Sequence, residues 1–93
     1  MNRITEKMLQ AKVDYLNRVT NNPGTPWTRN GDGKLTANIG NYHIDGAYGG
    51  VRLVQHMNKG GGINVILDGF APKRELFNEI KAMLIGIEVR TEQ

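Results

Sequence analysis

The sequence predicts an α+β domain: an N-terminal helix, an antiparallel sheet of three to four strands, and a C-terminal helix, with both helices on one face of the sheet. Three observations lead there. Apolar residues recur at helical spacing near both ends of the chain. Between them, apolar and polar residues alternate with the strand period, punctuated by glycine and asparagine. Two amphipathic helices must bury their stripes, and one face of a small sheet accommodates both, leaving the other face partly exposed for binding.

The first helix is expected over residues 3–20. Met8, Leu9, Val13, Leu16 and Val19 recur at three-to-five spacing, with Ile4 and Tyr15 beside them and Asn2 as the N-cap. TNNPGTP, residues 20–26, ends it, because Pro23 and Pro26 cannot continue a helix and Gly24 frees the backbone. Asn30-Gly31 suits a tight hairpin turn joining a short strand around Trp27 to a longer one from Lys34. There Leu35, Ala37 and Ile39 alternate with polar residues. Gly40-Asn41 interrupts the alternation as a bulge or a second tight turn, and it resumes at Tyr42 and Ile44.

VRLVQHMN, residues 51–58, places Val51, Leu53, Gln55 and Met57 on one strand face and Arg52, Val54 and His56 on the other. A flexible NKGGG loop leads to a short strand carrying Ile63, Val65 and Leu67 on one side. The last helix has the clearest pattern. Pro72 fits its first turn, and Leu76, Phe77, Ile80, Met83, Leu84 and Ile87 form one apolar stripe. Gly86 within it marks fraying or close packing.

A chain of 93 residues makes one domain, residues 1–93, with a modest buried fraction. It has no cysteine, so disulfides and thiolate-ligated zinc are excluded, and no serine, so a serine nucleophile is excluded as well. No apolar run approaches a membrane span, and MNRITEKMLQ is too polar for a signal peptide. The expectation is a soluble cytoplasmic protein. A net charge of +3 tilts weakly toward anionic partners.

TRNGDGKLTANI superficially resembles a calcium loop, with Asn30 and Asp32 on ligand positions. Thr28 and Ile39, however, stand where the opening and closing carboxylates belong, so a plain hairpin turn is the expectation. IDGAYGGVRLVQHMNKGGG holds six of the twelve glycines. It contains neither a Walker string nor a Gly-x-Gly-x-x-Gly between strand and helix. Two readings stay open. Gly46, Gly49 and Gly50 supply positive φ in turns while Gly60, Gly61 and Gly62 form a loose hairpin tip, or the bare backbone admits a ligand.

His43, Asp45, His56 and Asp68 are the catalytic-looking set. His43 and Asp45 share a strand face, but nothing in the spacing demands a metal or acid–base chemistry, so no enzyme activity, metal or cofactor is expected. The basic residues are more suggestive. Lys73 and Arg74 open the last helix, where cations oppose the dipole; Arg52 lies on a strand and Lys59 in the glycine loop. A phosphate shared by helix amides and these side chains explains them, as does a solvated helix start balanced by Glu75 and Glu79. Trp27, Tyr42 and Tyr48 are polar-tipped aromatics, available to stack bases or to pack in core and rim.

ANIGNYHIDGAYGGVRLVQHMNKGGG followed by KRELFNEIKAMLIGIE resembles a group of small proteins encoded by tailed bacteriophages and prophages. The likeness spans residues 37–88: an Ile-Gly-x-Tyr strand, an Ala-Tyr-Gly-Gly turn, a Val-x-Leu strand, an Asn-x-Gly-Gly-Gly loop and Lys-Arg-Glu-Leu opening the last helix. A looser match covers Leu9 to Arg29. The resemblance implies a setting rather than a chemistry: a phage accessory protein acting in a bacterial cytoplasm. The order helix, three strands, helix is also similar to double-stranded-RNA-binding domains, whose last-helix start is longer and more basic than PKRELF.

Two functions follow as expectations. One is binding of nucleic acid or a nucleotide phosphate through Arg52, Lys59, Lys73 and Arg74, with Tyr48 stacking. The other is inhibition of a host protein, a defence or replication factor, through an apolar surface. Convergence of the four cations on one surface favours the first; their scatter, together with an exposed patch around Ile85 and Val89, favours the second. Ile85 lies off the main stripe, so a homodimer through the last helix is a third expectation.

Overall fold

The computed structural model describes residues 3–66 and 69–91. The elements follow as α1 (Glu6–Val19), β1 (Trp27–Arg29), β2 (Leu35–Ala37), β3 (Tyr42–Ala47), β4 (Gly50–His56), β5 (Ile63–Val65) and α2 (Lys73–Thr91). The architecture is α+β, with the strands divided between an antiparallel pair β1–β2 and an antiparallel sheet in the order β3–β4–β5.

Helix α1 starts at Thr5, whose hydroxyl accepts a hydrogen bond from the Met8 amide at 3.1 Å, and Glu6 then places a carboxylate at the positive end of the helix. Asn2, the cap expected from the sequence, lies outside the described residues. The helix ends before Asn21, which takes the left-handed region at φ 58, and before Pro23. Pro72 stands just before α2 rather than in its first turn, and its carbonyl accepts from the Leu76 amide at 3.2 Å.

Register decides which sheet face meets the helices. Ile44 opposes Leu53 and Gly46 opposes Val51, so Tyr42, Ile44, Val51 and Leu53 share one face. That face packs on Leu9, Val13 and Leu16 of α1 and on Leu76, Ile80 and Leu84 of α2. Both helices therefore cover the same face, as their stripes require. They run in the same direction: Lys73 Nζ lies 3.6 Å from Glu6 Oε1 near their starts, and the Tyr15 hydroxyl donates to Glu88 at 3.1 Å further on.

The β1–β2 turn is longer than Asn30-Gly31 alone. The Asn30 amide donates to the Lys34 carbonyl, and Gly33 adopts φ +84, so a three-residue loop closes through a glycine in the left-handed region. Ile39 falls outside β2 and is exposed. At the next irregularity Gly40 donates to the His56 carbonyl while the His56 amide donates to Asn41, so two residues face one. The Asn41 amide also donates to the Asn38 carbonyl at 3.2 Å and Gly40 takes φ +93, so the tight turn and the bulge that the sequence offered as alternatives occur together.

Beyond β5 the register slips. Val54 pairs with Val65, but Val51 pairs with Ala71, three positions later than unbroken pairing gives. The excursion contains Leu67 and Asp68, both outside the described residues. It returns through Phe70 and Ala71 directly over Gly50, where an added Cβ meets the Ala71 backbone at 3.1 Å.

Candidate functional site

The β3–β4 hairpin closes through the two residues Tyr48 and Gly49, since Ala47 pairs with Gly50. Both have positive φ, 52 and 73, as a type I′ turn demands. The left-handed region suits glycine or asparagine; a tyrosine there carries strain of roughly 1 kcal/mol or more. Its ring is 93% exposed, so little burial offsets that cost. The sequence reading assigned positive φ to Gly46 and Gly50 as well. Gly46 instead lies within β3, Gly50 serves the close approach of Ala71, and Tyr48 takes the turn conformation.

Behind Tyr48 sits Phe70, its ring 5.4 Å away and edge-on, and over Phe70 lies the Arg52 guanidinium at 4.5 Å. Arg52 is also tied to Asp45, opposite it in the register: Nε donates to Oδ2 at 2.9 Å and Nη2 lies 2.9 Å from the same oxygen. The tip is thus an exposed aromatic backed by an aromatic and a neutralised cation.

The sheet face away from the helices continues from Asp45 and Arg52 through His43 and Val54 to His56. His43 and His56 come together with ring centroids 4.6 Å apart, and Trp27 of the β1–β2 pair stands edge-on to His56 at 4.8 Å. His56 is buried, and its Nδ1 has no hydrogen-bond partner among the described residues. His43 Nδ1 lies 3.1 Å from Asn41 Oδ1. Burial first, and then the neighbouring His56, hold the His43 pKa below its usual 6.5, against the opposing pull of Asp45. Asp45 is turned to Arg52 and Asp68 lies outside the described residues. Among the described residues, no group of three His, Cys, Asp or Glu side chains is placed to hold a metal ion.

Lys59 stands apart from the other three cations. It lies in the β4–β5 loop beyond His56, whereas Arg52 stands near the opposite end of β4. Arg52 lies on the sheet face away from the helices, over Phe70. Lys73 turns to the helix side, where Glu6 receives it. Arg74 is exposed beside it. The glycine loop is held rather than loose: Asn58 Oδ1 accepts from the amides of Gly60 and Gly62 at 3.0 Å each, and Gly61, at φ +97, lies under Trp27. On α2, Ile85 and Val89 are 54% and 52% exposed, one turn apart.

One cavity lies at the other edge of the sheet. It measures about 270 Å³ and is lined by Glu6, Leu9, Gln10, Ile44, Gly46 and Val51, between the first half of α1 and β3. The sequence reading missed it, together with Phe70 and Asn17. Their signal is tertiary: Phe70 follows an excursion whose length only the pairing reveals, and Asn17 looks like one more polar helix residue until its burial is known.

No protein-family model matches the chain, and no curated protein and no solved structure is significantly similar to it.

Proposed function

We propose that this is a non-catalytic binding protein that acts on another protein, in the setting the resemblance implies: a phage accessory protein that engages a host factor. The observation that carries this is Tyr48, an almost fully exposed aromatic held in a strained turn where glycine serves the fold better. Tyrosine, tryptophan and arginine dominate binding hot spots, and an anchor pre-set on a rigid hairpin loses little entropy on binding. The distance of Lys59 from the other cations, the pairing of Arg52 with Asp45 and of Lys73 with Glu6, and the exposed Ile85 and Val89 support a protein partner over a polynucleotide.

A second reading keeps a specific observation in its favour. Lys73 and Arg74 follow Phe70 by three and four residues, so two cations and a helix start lie close to the Tyr48 tip. One experiment separates the two. Wild-type protein and Tyr48→Ala are used to capture partners from bacterial lysate, and both are titrated with short single- and double-stranded DNA and RNA at about 50 and 200 mM salt. A protein captured by wild type and lost with Tyr48→Ala at both salts supports protein binding. Polynucleotide binding that collapses with salt and in Lys73→Ala/Arg74→Ala supports the second reading.

A further inference from the structure

The β3 edge is an incomplete strand pairing beside a cavity. In β4 and just past it, residues 51, 53, 55 and 57 direct their backbone groups to the β5 side: Val51 exchanges bonds with Ala71, Ile66 donates to the Leu53 carbonyl, and the Met57 amide donates to Gly62. Residues 50, 52, 54 and 56 therefore bond to β3 and engage residues 47, 45, 43 and 41. The backbone groups of Tyr42, Ile44 and Gly46 then point out of the sheet.

Tyr42 is satisfied there. Asn17 Nδ2 donates to its carbonyl at 3.0 Å and its amide donates to Asn17 Oδ1 at 2.8 Å. Among the described residues nothing plays that part for Ile44 or Gly46. The open edge is thus two outward-facing residues long, roughly 7 Å from one to the next at about 3.4 Å per residue. It is closed at one end by Asn17 and continuous at the other with the Tyr48 turn. Ile44 and Gly46 also line the 270 Å³ cavity, with Leu9 and Val51 as its apolar wall and Glu6 and Gln10 at the α1 side.

Unmatched amides and carbonyls at a two-residue repeat are complementary to another extended backbone. The cavity beside them, with Leu9, Ile44 and Val51 on one side and Glu6 and Gln10 on the other, takes a side chain from such a strand. We infer that β3 takes up a short extended peptide segment of a partner protein as an added strand, with one leucine-sized apolar side chain seated between Leu9, Ile44 and Val51. This rests on the protein-binding reading and specifies the form of the partner. A second copy of this chain would offer the same two outward-facing residues, and the dimer outcome of the test separates it from a peptide.

The test uses a display library of random nine-residue peptides selected on the full chain. Enriched peptides are labelled and titrated against wild type, Gly46→Ala and Gly46→Pro. Proline deletes the outward amide without breaking a bond to β4, the orientation in which edge strands tolerate it. An alanine Cβ at Gly46 meets nothing closer than the Gly50 carbonyl at 3.7 Å. The expected result is affinity near wild type for Gly46→Ala and a loss of about tenfold or more for Gly46→Pro. If Gly46→Pro fails to fold, amide spectra of the wild type decide: bound peptide must shift the Ile44 and Gly46 amides and slow their exchange. Lack of enrichment over an unrelated protein overturns the inference, as do peptides that leave those two amides unmoved or a concentration-dependent dimer dissolved by Gly46→Pro. Lysate capture that survives Gly46→Pro but not Tyr48→Ala removes the added strand while keeping protein binding. Loss of all capture removes the broader reading.

Discussion

The side chain of Asn17 bonds both backbone groups of Tyr42, donating to the carbonyl at 3.0 Å and accepting from the amide at 2.8 Å, so a helix residue completes a sheet edge. The residue is 1% exposed and stands at the C-terminal end of the α1 stripe, where helix and sheet come together. Leucine there fits the burial but leaves an amide and a carbonyl of Tyr42 without partners. Unsatisfied buried polar groups cost about 1–3 kcal/mol each. Asn17→Leu is expected to lower stability by about 2–3 kcal/mol in urea unfolding, with a fall in Tm of about 10–20 °C for a domain of this size. A variant within about 0.5 kcal/mol of wild type places the work of holding β3 elsewhere.

Tyr48 predicts the opposite sign. Its φ of 52 is strained for tyrosine, and its ring is almost fully exposed. Tyr48→Asn keeps the turn and relieves the strain, so stability should hold or rise by up to about 1 kcal/mol. Partner capture should fall in the same variant. Destabilisation by more than 1 kcal/mol would show that the edge-on contact with Phe70 outweighs the strain, and the tyrosine would then be explained by folding alone.

Those two residues show what the sequence made legible. The helices were legible because burial writes itself into a repeat: Leu76, Phe77, Ile80, Met83, Leu84 and Ile87 are all buried or half-buried on α2. The two faces of β4 were legible for the same reason. Ends and turns were not. The sequence offers Asn2 as the cap of α1, whereas it is the Thr5 hydroxyl that takes the Met8 amide. A glycine can mean positive φ, close approach or neither, and the letter is the same. Gly49 is the first, Gly50 the second, and Gly86, exposed with nothing within 4 Å of a built Cβ, is the third. For the candidate site, the sequence found Tyr48 and Arg52 but not the pairing of Arg52 with Asp45. Seven residues separate the pair along the chain, and a two-residue turn brings them opposite.

Gly50 therefore supplies a third prediction. A Cβ there meets the nitrogen and oxygen of Ala71 at 3.1 Å and the Phe70 carbonyl carbon at 3.2 Å, all backbone atoms that cannot swing aside. Gly50→Ala must push the 70–71 segment off β4, stretching the two 2.8 Å bonds between Val51 and Ala71 and displacing Phe70 from Arg52 and Tyr48. The expected cost is about 1–3 kcal/mol, in the range of overpacking. Gly24→Ala, with nothing within 4 Å, is the control and should change stability by less than about 0.5 kcal/mol. Equal stability of the two variants would mean the segment moves freely.

His43 makes the stability of the fold sensitive to acid. His43 titrates below 6.5 in the folded chain because burial and His56 disfavour its charged form, while Asp45 and the Asn41 backbone oppose them in part. Unfolded, it titrates near 6.5 and binds the proton more readily. Stability from this group is therefore full above about pH 6.5 and is lost as pH falls through that value toward the lower folded pKa. Trp27 reports it directly, being the only tryptophan and standing edge-on to His56. Urea unfolding followed by Trp27 fluorescence between about pH 7 and 5.5, above most carboxylate titrations, should show stability decreasing with acidification. His43→Asn should flatten that dependence while keeping a polar residue against Asn41. If wild type and variant lose stability in parallel over this window, the acid sensitivity belongs to another group.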